Sequence, residues 1–196
     1  MISKFQFNSD RPLTIVAPGN KECPIYFQKP NIIFLSTSGS SYYCQVVFQL
    51  SHEMCHYFIN TGIQNPDLKW FEESLCECSS LFFLTQMSLL WEQSNQPIEN
   101  SYSYEYINYR IDREKKHKEF NISSSTSYDC YDRDKNTFIA LKLLPIFQKN
   151  ESLWSDVPRL SEIEAETIYE LLDKWSSICK EENIYSALKI RDFFTD

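Results

Sequence analysis

Hydrophobic and polar positions alternate in two different rhythms along the chain. Residues 12–17 (PLTIVA) and 31–37 (NIIFLST) are short, β-branched runs bounded by Pro, Gly and Asn, which predict strands. The Ser/Gly turn STSGSS follows, and a helical stretch begins near Ser41. Over residues 45–60, Val47, Leu50, Met54, Tyr57 and Phe58 recur at spacings of three and four and form one apolar stripe. Gln45, Gln49, His52, Glu53, His56 and Asn60 gather on the other side. Asn65-Pro66 place a capping side chain and a first-turn proline at the head of a second helix, running through DLKWFEESLCECSSLFFLTQMSLLWEQ. From about Gln96 to Asp134 the chain turns polar, which predicts a solvated helix near 104–120 and a loop over NISSSTS. The remainder predicts helices at 134–149, 161–180 and 184–194. No internal repeat is visible.

Composition narrows the classes. At 196 residues, 42% hydrophobic and 15% aromatic, the chain can bury a sizeable core. A net charge of −8 and a pI near 5.0 disfavour nucleic acid and anionic membrane surfaces as partners. No apolar run approaches the roughly 20 residues that span a bilayer. The opening residues do not read as a secretory signal. Seven irregularly spaced cysteines fit reduced thiols in a cytoplasm better than a disulfide framework. Cys76-x-Cys78 has no complementary second pair and reads as part of a packed helix, and Cys55 as a buried thiol. The expected class is α+β: a small N-terminal sheet, two antiparallel zinc-binding helices and a mainly helical C-terminal lobe. Residues 1–95 would form the first lobe and 96–196 the second, together one compact unit.

Two of the three histidines fall in His52-Glu53-Met54-Cys55-His56, an H-E-x-x-H string on the polar face of the first long helix. The third, His117, lies among lysines and reads as a surface residue. Side chains at i and i+4 project in one direction about 6 Å apart along the axis, so both imidazoles can converge on one tetrahedral ion. Glu53 is turned aside, where it can reach a water bound to that ion. A zinc site that does chemistry wants a third protein ligand and an open position. The next helix offers Glu72, Glu73 and Glu77. Glu73 and Glu77 share a face, and the short connection TGIQNP makes the helices antiparallel neighbours, bringing that face toward the histidines. One glutamate on the metal and one on a histidine would use the pair, with Glu72 pointing elsewhere.

The arrangement resembles the gluzincin metallopeptidases, the thermolysin-like and aminopeptidase N-like group, over residues 31–91. Trp70-Phe71-Glu72-Glu73-Ser74-Leu75-Cys76 is similar to the aminopeptidase pattern W-L-N-E-G-F-A, with Ser74 where the family has glycine. Sixteen residues separate His56 from Glu73, slightly fewer than usual in the family. The resemblance implies that His52, His56 and Glu73 hold one zinc per chain, that Glu77 supports from the outer shell, and that Glu53 is the general base. It also implies a downstream tyrosine for the oxyanion, with Tyr131 the first choice and Tyr128 the reserve. Strand 31–37 would be the edge that pairs with an extended peptide.

The expected function is therefore zinc-dependent peptide-bond hydrolysis, acting on a peptide or protein substrate. A regulatory protease, similar to the small cytoplasmic peptidases that cleave repressors, is a further enzymatic reading; the non-enzymatic alternatives are a zinc-binding regulatory or interaction protein without turnover, and a purely structural zinc site. An intact Glu53 favours catalysis, since neither alternative needs a base there. Neither oligomeric state nor substrate is legible.

Overall fold

The computed structural model describes residues 1–6, 11–18, 23–37, 42–115 and 130–194. The expected turn over 38–41, the helix end at 116–120, the loop 121–127, His117 and Tyr128 lie outside them. The chain is mostly helical, at 71%, with one small three-stranded sheet, an α+β composition. In order come α1 (Ile2–Phe5), β1 (Thr14–Val16), β2 (Ile25–Phe27), β3 (Ile32–Phe34), α2 (Tyr43–Ile59), a 3₁₀ turn (Pro66–Leu68), α3 (Lys69–Glu92) and α4 (Pro97–Glu114). Then follow α5 (Arg133–Lys149), a 3₁₀ segment (Glu151–Glu162), α6 (Ile168–Ile178) and α7 (Glu181–Phe193). No helix among the described residues is long and apolar enough to cross a membrane. All seven cysteines are free thiols.

The sheet corrects one expectation. Strand order is β1-β3-β2, with β1 parallel and β2 antiparallel to β3. The strand at 31–37 is thus central, and its backbone groups are already paired on both sides. The edges are β1 and β2, and β2 is a strand the sequence pattern did not mark. Ile25 and Phe27 on it are exposed while Tyr26 packs inward, with its hydroxyl donating to Asn31 Oδ1 at 2.9 Å.

The helix pair α2/α3 is built as the sequence implies. The Asn65 side chain accepts from the Asp67 N–H at 3.0 Å and turns the chain into the second helix. The same side chain donates to the Ala165 carbonyl at 3.0 Å, tying this corner to the C-terminal half. Small side chains let the two helices approach closely. Ser79 Oγ donates to the Ser51 carbonyl at 3.0 Å, and Ser80 Oγ to the Phe48 carbonyl at 2.8 Å. These bonds cross from one helix to the backbone of the other.

Helix α6 is shorter than the expected 161–180. Pro158 lies in the preceding 3₁₀ segment, and α6 starts only where Thr167 accepts from the Glu170 N–H at 3.2 Å. Glu170 in turn accepts from the Glu166 N–H at 2.9 Å. This reciprocal arrangement, a variant of the capping box, was readable in T-x-x-E and marks the true start.

A single apolar cluster takes residues from Phe5 at one end of the chain to Phe194 at the other, so the expected lobes 1–95 and 96–196 share one core. Trp154 is its hub: fully buried, stacked on Phe147 at 4.1 Å between ring centroids, and within 5.2 Å of Phe5 and 5.4 Å of Phe82. Replacing it with alanine leaves a large cavity among groups from four elements. Trp154→Ala should lower unfolding free energy by about 3–5 kcal/mol, read by chemical denaturation. A loss under about 1 kcal/mol would contradict the hub.

Candidate metal centre

Helix α2 carries His52, Glu53 and His56 on the face opposite its apolar stripe, and α3 lies antiparallel against that face. The imidazole centroids are 5.1 Å apart. His52 Nε2 lies 3.2 Å from Glu73 Oε2, and His56 Nε2 lies 3.4 Å from Glu73 Oε1. The outer nitrogen of each ring faces a different carboxylate. His56 Nδ1–H donates to Glu72 Oε1 at 2.8 Å, and His52 Nδ1 stands 3.8 Å from Glu77 Oε2. Glu77 is itself held by Thr137 on α5, whose hydroxyl donates to Oε1 at 3.3 Å.

Glu72 is the residue that sequence reasoning misplaced. It points at His56 as well as at the loop, accepting the Ile63 N–H through Oε2 at 2.8 Å. Successive helical residues diverge by 100°, but α2 sits over the boundary between the two directions, so Glu72 and Glu73 both reach it. A helical wheel of α3 alone does not show where the neighbouring axis falls. The one available signal was Gly62, which lies at φ +72 in the connection.

A Cβ at Gly62 would stand 2.8 Å from Glu72 Oε2 and 3.3 Å from Oε1. Glycine is therefore needed twice, for its left-handed backbone and for the space the carboxylate occupies. Gly62→Ala should push Glu72 off the Ile63 N–H and off His56. We expect a stability loss of about 1–3 kcal/mol by denaturant titration. A metal ion held by His56 should bind about 10- to 100-fold more weakly in a chelator competition. Unchanged values in both assays would show that Glu72 does not hold the imidazole.

Acidic neighbours raise the proton affinity of both imidazoles. Burial works against charge on His52, yet Glu73, Glu77 and Glu53 outweigh it and raise its pKa to about 10. Burial likewise opposes charge on His56, and Glu72 and Glu73 push it well above the ordinary value. Burial would raise Glu73, but the two imidazoles pull it well below the usual carboxylate range. Glu72, Glu73 and Glu77 thus lie against the two imidazoles and make the site electronegative.

The donor types fit zinc, which takes imidazole nitrogen and carboxylate oxygen. The two Nε2-to-carboxylate distances, 3.2 and 3.4 Å, run to different oxygens of Glu73, which can bridge between the rings. Backing each Nδ1 with a carboxylate also fixes the ring orientation that presents Nε2 inward. A rival donor exists: one atom each from His52, His56 and Cys76 lie within 4.8 Å of one another. Cys76 is fully buried, and burial with the neighbouring Cys55 and Glu73 drives its thiol well above the ordinary pKa. Glu73 lines the open cleft, whereas Cys76 does not. Cys78 and Cys55 are core thiols.

The cleft, of about 770 Å³, runs over both histidines. Glu53, Glu72, Glu73 and Glu77 line it, with β2 residues Ile25 and Tyr26 along one wall. Glu53 is 4% exposed and contributes to this lining. Tyr131 lies just before α5 on the rim of the same cleft, 84% exposed. Comparison with protein-family models, with curated proteins and with solved structures found no match.

Proposed function

We propose that the chain is a gluzincin-like zinc metallopeptidase, with His52, His56 and Glu73 as ligands and Glu53 as general base. The observation that carries this reading is the convergence of both Nε2 atoms on the Glu73 carboxylate, each ring braced from behind by a separate acid. A zinc ion bound there supplies Lewis acidity, polarising a carbonyl and lowering the pKa of a water toward neutrality. Glu53, buried at the cleft floor, takes a proton from the attacking water and delivers it to the leaving amine. Glu72 and Glu77 hold the imidazoles in register. Tyr131 on the rim is the candidate donor to the developing oxyanion. The edge strand β2 gives an extended substrate backbone a partner beside the site.

A cytoplasmic setting accords with seven free thiols and a reducing environment. The test is cleavage of a diverse peptide library by zinc-loaded protein, read by mass spectrometry. Cleavage that disappears on chelation and returns with zinc is the expected result. A zinc-loaded protein that cuts nothing favours a binding module instead.

A further inference from the structure

The cleft holds a cation that its own helix does not neutralise. Arg113 stands in the last turn of α4, and its guanidinium lies 4.6 Å above the Phe48 ring and 5.1 Å from that of Tyr109. Its Nη2 donates to the Tyr109 hydroxyl at 2.7 Å. Three residues earlier, Arg110 behaves as a surface arginine of an acidic protein should, bonding Glu114 at 2.5 Å and Thr85 at 2.6 Å. Arg113 lines the cleft and makes no ion pair among the described residues. Both rings lie to one side of the guanidinium, their centroids 5.8 Å apart, and with Nη2 donating to Tyr109 the Nε and Nη1 donors have no hydrogen-bond partner among the described residues. A carboxylate is the acceptor that matches two parallel N–H groups on such an edge.

Resting on the peptidase reading above, we propose that Arg113 is a specificity-determining residue that binds a substrate carboxylate. Phe48 precedes His52 by one helical turn, about 6 Å along the axis. Arg113 and both histidines line one cleft, so the carboxylate belongs a few residues from the reacting bond of an extended peptide. The rest of the lining sharpens the choice. Glu53, Glu72, Glu73, Glu77 and Asp134 would repel a carboxylate placed elsewhere in the cleft. The other cations there, Lys69 and Arg133, are exposed and lie against no ring among the described residues. A terminal carboxylate and an Asp or Glu side chain present the same group, and Arg113 reads either.

The test uses zinc-loaded protein and hexapeptides of one neutral sequence: blocked at both ends, free at the C-terminus, or blocked with one Glu placed at each position in turn. Binding by calorimetry and cleavage by mass spectrometry are read on the same set. Carboxylate-bearing peptides should bind about 10- to 100-fold more tightly than the neutral one. The free-terminus and Glu-scan arms show which source is used. Arg113→Gln should level the set, and Arg113→Lys should recover part of the preference. A preference that is absent from the wild type, survives Arg113→Gln, or vanishes only in Arg133→Gln overturns the proposal, as does a set that does not bind. Cleavage without carboxylate preference removes this inference and leaves the peptidase reading. Preference abolished by Arg113→Gln, without cleavage of any peptide, does the reverse.

Discussion

Glu53→Gln should keep its zinc and its thermal stability while losing turnover by about 10²- to 10⁴-fold, the range typical of a deleted general base. The amide preserves the shape of a side chain that is buried at the cleft floor, and α2 should be undisturbed. Glu53 stands one residue beyond His52 and lines the same cleft. In the proposed mechanism it serves the chemistry and does not hold the ion. The readout is initial rate on a cleaved peptide, with metal content and melting temperature measured on the same preparation. Cleavage undiminished in Glu53→Gln removes the mechanism. Loss of zinc in that variant would instead assign Glu53 to the metal.

Glu73→Ala should abolish stoichiometric zinc binding. Its carboxylate lies within 3.4 Å of the inward nitrogen of both histidines. Removing it also leaves His52 and His56 without the acid they share. Glu77→Ala should weaken zinc affinity by about 10- to 100-fold without abolishing it, because Glu77 stands behind His52 at 3.8 Å. Glu72→Ala should fall in the same range for His56, with an added stability cost of about 1–3 kcal/mol from the stranded Ile63 N–H. Chelator competition on the three variants gives the order. If Glu77→Ala empties the site while Glu73→Ala stays loaded, the two roles are exchanged.

Much of this site was legible because its information is local. The apolar stripe of α2 and the i, i+4 histidines are properties of one helix, and Asn65-Pro66 fixed where the next begins. The pairing of Glu73 with both histidines followed once the two helices were antiparallel neighbours. What the sequence did not show depends on position in space. The role of Glu72 rests on where the α2 axis crosses α3, and on Gly62 leaving room for a carboxylate. The central place of β3 required β1 and β2 to flank it, and β2 spans only three residues. Helix α1 has four residues and no periodicity to read, yet Phe5 is fully buried, 4.3 Å from the Phe58 ring. The aromatic packing of Tyr102 and Tyr106 against Trp91 was likewise hidden inside a segment that reads as polar.

The central claim is the identity of the metal's ligands, and the most direct measurement is X-ray absorption at the zinc edge of the zinc-loaded protein. A first shell of nitrogen and oxygen at about 2.0–2.1 Å, with imidazole scattering from two rings, is the expected result. A sulfur contribution at about 2.3 Å would place Cys76 on the ion in place of, or beside, Glu73. That result would turn an open catalytic centre into a closed structural one and contradict the account.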